Sequence, residues 1–193
     1  MKLLLKILGV FFVLFAFIVF HQSLKHKKTY EVVAGYKKDF SITFVDFANN
    51  YNELVAGNKE LSIGSKPIKS YKYDNGIIET QCTLTDTLDI NVYWDNKTKR
   101  IKEISISGIM INDKAKINYG AVASTVINVI NKKKFLVDGN EGSFVLKELD
   151  YYERCSVNET YSKSVIKSSF KYSLLVVFSS GAPSVIVTIS PIE

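Results

Sequence analysis

Histidine is almost missing from this chain, and its placement excludes more chemistry than its scarcity does. The only two are His21 and His26. Nothing beyond residue 26 can therefore form a Ser-His-Asp or Cys-His catalytic arrangement, or a zinc site that includes histidine. Cysteine is equally sparse. Cys82 and Cys155 are the only two, too few for a Cys-only zinc site. Ten glycines are scattered along 193 residues without forming G-x-x-x-x-G-K-[ST] or G-x-G-x-x-G, so the familiar phosphate-cradling loops are lacking. Acidic residues are absent from the first 28 positions, which hold five of the 25 basic residues (Lys2, Lys6, Lys25, Lys27, Lys28). The formal charge of +6 thus belongs to the N-terminal segment, and the remainder carries 20 basic against 19 acidic groups. A near-neutral body argues against a nucleic-acid partner.

Two further patterns fail on inspection. Asp138 and Asn140 alternate as calcium ligands would, but the twelfth position counted from Asp138 is Leu149 instead of the bidentate Glu that an EF-hand requires. The stretch reads as a turn, and no metal or cofactor is expected. Asn96-Lys97-Thr98 and Asn158-Glu159-Thr160 fit the glycosylation acceptor pattern, which has meaning only in a eukaryotic secretory pathway.

What is present begins with a greasy N-terminus. Leu3 to Phe20 is interrupted only by Lys6, and its roughly 18 residues just suffice to cross a hydrocarbon core, with Lys6 reaching back to the interface. A cleaved signal peptide wants small residues at alternate positions after the apolar core, whereas Phe20, His21 and Gln22 are bulky. The expectation is an uncleaved signal-anchor over residues 1–22, contacting membrane through residues 3–22, with cleavage and secretion to the periplasm as the alternative. Lysines on the two flanks nearly balance, so the positive-inside rule abstains. Single N-terminal spans most often export the chain downstream of them, which places the body on the periplasmic or cell-surface side.

A polar linker over 23–35 leads to an α+β domain over 36–193. In DFSITFVDFANNYNELVAG (39–57), Phe40, Phe44, Phe47, Tyr51, Leu54 and Val55 recur at helical spacing, and Gly57 supplies a stop. Asn75-Gly76 then predicts a type I′ hairpin joining Lys69–Tyr73 to Ile77–Leu84. Alternation over Leu88–Asp95 and Ile101–Ser107 adds two strands, completing a four-stranded meander with one polar face. Ile117, Val122, Val126, Val129 and Ile130 predict a second helix, with Asp113 at its start and Lys132–Lys134 at its end matching the dipole. Val145, Leu149 and Tyr152 suggest a third, shorter helix. Strands over 162–170, 172–178 and 184–190 form a second meander, so the domain reads as two helix-plus-meander halves, 36–110 and 111–193. Strands grouped with strands indicate two antiparallel meanders packed with two or three helices, not a parallel α/β sheet.

The functional expectation is a membrane-anchored, non-enzymatic protein-binding module, either an envelope-complex subunit or a toxin-neutralising immunity or inhibitor protein. Its candidate binding face is the polar side of the first meander, with Tyr71, Tyr73, Asp89, Tyr93 and Asp95. Two alternatives are a hydrolase of envelope polymers using carboxylates among Asp86, Asp89, Asp95 and Glu103, and a carrier of an apolar ligand. Cys82 and Cys155 are either buried thiols or, in an oxidising compartment, a disulfide closing a long loop.

Overall fold

A computed structural model describes residues 38–131, 140–157, 159–179 and 181–192. The anchor, the linker and the lysine triplet lie outside these residues. Among the described residues, no helix is long and apolar enough to cross a membrane.

Helix α1 spans Phe44–Leu54, shorter than the aromatic spacing predicts. Thr43 ends it on the N-terminal side, its hydroxyl oxygen accepting from Asp46 N at 3.2 Å. Phe40 is buried as its spacing implies but belongs to an extended lead-in, where its amide donates to Ile101 O at 2.8 Å. Phe47 and Tyr51 carry the buried face of α1, and Tyr51 donates to Leu61 O in a short 3-10 turn, Lys59–Leu61.

Four strands come next: β1 Ile68–Lys72, β2 Ile77–Thr85, β3 Leu88–Asp95 and β4 Ile101–Ile109. The β1–β2 hairpin forms where expected, but its turn differs in type. Gly76 is left-handed at φ 82° and Asn75 is not; Gly76 N donates to Tyr73 O and Tyr73 N to Ile77 O. The connection is a three-residue loop ending in a left-handed glycine, which needs only one positive φ.

Helix α2, Asp113–Ile130, is capped by Asn112. Ile117 departs from the predicted stripe and is 70% exposed, while from Tyr119 to Ile130 only Ala121 faces solvent. One apolar stripe cannot account for burial on all sides; α3, Glu141–Glu148, supplies the second cover. The two helices approach so closely that a Cβ on Gly142 would stand 2.2 Å from Ser124 O. Buried Asn128 accepts from Gly142 N and donates to Asn140 Oδ1, which also accepts from Ser124 Oγ. The predicted third helix then breaks at Asp150, left-handed at φ 60°, and restarts as α4, Tyr151–Arg154. The break shifts the helical phase, so Tyr151 is buried against Tyr119 and Tyr152 is exposed.

Strands β5 Tyr161–Lys167, β6 Phe170–Ser179 and β7 Ala182–Pro191 complete the fold. The strand expected to run through residue 170 instead turns at Ser168-Ser169. Both are left-handed, giving the two-residue turn of a tight hairpin. The described strands form one antiparallel seven-stranded sheet in the order β1-β2-β3-β4-β7-β6-β5, so the two meanders are joined at β4–β7. The fold is α+β, with four described helices where two or three were expected. One core holds the helices against a single side of the sheet. Among its residues are Cys82, Ile90, Val92, Ile104, Ile106, Val187, Leu174 and Tyr172, which alternate along five strands.

Candidate functional site

Strand alternation sends every second side chain away from that core. Cross-strand register places Tyr71, Glu79, Tyr93 and Glu103 in one row over β1–β4. A second row, Lys69, Gln81, Asn91, Ser105, Thr188, Ser173 and Ser164, crosses all seven strands without an apolar residue. A third begins Thr83, Asp89, Ser107 and turns apolar at Ile186 and Leu175. On β2–β4 the nine positions of these rows hold three carboxylates, one phenol, five neutral polar side chains and no base. No family model, curated protein or solved structure matches the chain.

Glu79 organises the first row. Its Oε1 accepts from the Tyr93 hydroxyl at 3.1 Å and its Oε2 accepts from Tyr73. Tyr93, placed by alternation on the solvated side of β3, is only 5% exposed, and burial followed by the Glu79 charge raises its pKa far above the ordinary phenol value. Among the described residues, Ile77 and Tyr93 are the buried apolar side chains outside the central core cluster.

Glu103, opposite Tyr93, is 3% exposed, and its Oε2 has no hydrogen-bond partner. Burial alone pushes its pKa up to about 8, because a carboxylate removed from water without a donor disfavours its charged form. Asp89, four positions before Tyr93 on β3, has a buried and equally unpartnered Oδ1. None of the described ion pairs involves Glu79, Asp89 or Glu103. Lys102, beside Glu103 in sequence, turns to Asp39 at 3.5 Å.

Tyr71, Tyr73, Tyr93 and Asp89 are thus brought to one side of the first meander. Asp95 is committed elsewhere: its Oδ1 accepts from Thr98 N at 2.8 Å and Lys97 N at 2.9 Å, closing the β3–β4 turn. The Thr98 amide chiefly holds its carboxyl below the usual range. Asp86 is exposed and pairs with Lys66 at 2.7 Å. The four carboxyls Asp86, Asp89, Asp95 and Glu103 therefore do not converge. Cys82 and Cys155 are free and buried, on β2 and just after α4. Burial pushes the Cys82 thiol up to about 12, a value at which it stays protonated and unreactive.

Sequence reasoning missed Glu79 altogether and weighed Glu103 only as one acid among four. The hairpin signal alone would not have found it: a two-residue Asn75-Gly76 turn sets Lys72 opposite Glu79, and only the three-residue loop shifts the register by one to bring Tyr71 there, with Tyr93 beside it on the next strand.

Proposed function

We propose that this chain is a membrane-tethered, extracytoplasmic binding module without catalytic activity, which presents the polar side of its sheet to another protein. It serves as an envelope-complex subunit or as an inhibitor, including an immunity protein that neutralises a toxin. The observation that carries this reading is the one-sidedness of the sheet. Among the described residues, the central core packs the helices on one side, and on β2–β4 the other side bears three rows of polar side chains that include two carboxylates with an unpartnered oxygen. Unmet hydrogen-bonding capacity on a sheet is costly to leave so, and an arriving partner can satisfy it. The apolar run Leu3–Phe20 supplies the tether, and the bulky His21 and Gln22 directly after it support retention of that segment.

The test is affinity purification of the full-length chain from its native membrane, with mass spectrometry of its partners and its own N-terminus. An intact N-terminus and a stoichiometric protein partner are expected. Asn91→Arg, at the centre of the polar rows, should abolish recovery of the partner, whereas Val45→Arg on the exposed side of α1 should not. Loss with Val45→Arg alone would move the interface off the sheet. Recovery without any stoichiometric partner would end the proposal. Removing residues 1–22 separates the two roles, since an inhibitor keeps its 1:1 complex and a subunit loses its assembly.

A further inference from the structure

Resting on that reading, we propose that the partner is recognised through a basic side chain, an arginine or lysine set down on the row Glu79–Tyr93–Glu103. Three observations point to a cation. The nine positions on β2–β4 contain three carboxylates and no base, although residues 29–193 carry 20 basic against 19 acidic groups. The described ion pairs direct their cations elsewhere: Lys102 and Arg100 to Asp39, Lys66 to Asp86, Lys163 to Asp150. The third observation is Glu103 itself, only 3% exposed, with Oε2 unpartnered. Glu79 is already preset for such a guest. Its two oxygens are held by the Tyr73 and Tyr93 hydroxyls, which fix the carboxylate's orientation while leaving lone pairs free. An arginine fork would satisfy Glu103 and share Glu79 through charge-assisted bonds, the strongest available at such a surface. A neutral sugar or amide would offer donors but leave the acidic charge uncompensated.

Glu103 is then kept at a cost to the free protein. A buried carboxylate without a donor destabilises the fold it belongs to, and a residue of that kind persists where binding needs it.

The probe is a capped hexa-arginine peptide, with capped hexaserine as comparator, titrated onto the full-length chain in detergent. Backbone amide shifts of Glu79, Asn91, Tyr93 and Glu103 report occupancy. Saturable shifts centred on these residues are expected with hexa-arginine, together with at least tenfold weaker binding in Glu79→Gln and Glu103→Gln. Both variants are first shown to fold by thermal denaturation, and Glu103→Gln should melt higher than the parent. Equal response to hexaserine, shifts spread over the whole surface, or unchanged affinity in both variants would overturn the inference. The membrane purification separates the two levels of failure. Partner recovery abolished by Asn91→Arg but untouched by the paired Gln variants removes the basic side chain and leaves the binding module standing. Recovery insensitive to all three removes both.

Discussion

A single side chain, Glu103, contributes a pH dependence of unusual sign. Its pKa is about 8 in the fold against a reference value of 4.5. Between those values the native state holds a proton that the unfolded state releases, so its contribution is fully present below pH 4.5 and is lost as pH rises from there through 8. Asp86, Asp95 and Asp150 are shifted the other way, and their contribution is lost only in stronger acid. Urea denaturation at about pH 5 and about pH 8.5 should show the parent losing on the order of a few kcal/mol between them. Glu103→Gln should remove most of that slope, and a slope preserved in the variant would assign it to another group. Little in the sequence warned of this residue. Ile101, Ile104 and Ile106 mark the core side of β4 by their chemistry, but an acid at the intervening position reads as solvated. Nothing local records that Tyr93 will lie opposite it.

At the scale of elements, periodicity located most strands and the main helices, and failed where a neighbour or a turn overrode it. The stripe on α2 was legible; its burial on every side was not, because that depends on α3 arriving through Gly142. Glycine there reads as ordinary loop punctuation until the second helix is in view. Gly142→Ala would drive a methyl into the Ser124 carbonyl and hydroxyl, at 2.2 and 2.5 Å. Overpacking of backbone against backbone should cost about 3 kcal/mol, visible as a lowered thermal midpoint. Gly57→Ala, with nothing within 4 Å and no left-handed φ, should stay within about 0.5 kcal/mol of the parent. Similar losses in both would mean that the helix contact is softer than the geometry requires. Ser168-Ser169 escaped notice for a different reason, since serine carries no preference for the left-handed region and Asn or Gly would have signalled the turn.

Over the whole molecule, the grouping of strands with strands correctly indicated α+β, whereas the joining of the meanders into one sheet left no trace in sequence. Pairing of β4 with β7 is a long-range choice, made by complementary apolar alternation at Ile104–Ile189 and Ile106–Val187. This junction makes the halves depend on each other. Trp94, the only tryptophan, reports on the first half, and hydrogen exchange of β6 amides reports on the second. Both should give the same free energy of unfolding. A separate Trp94 transition would show that the first meander melts alone.

The same junction orders events in time. Ile109 must wait for Ser184, and Ile104 for Ile189, before the middle of the sheet closes. During synthesis, β4 therefore stands as a bare edge until β7 emerges, and such an edge is the surface on which extended chains pair wrongly. Long sequence separation between partners also slows folding. A chain built this way has its most vulnerable moment late, when six strands exist and the one that belongs between β4 and β6 is still being made.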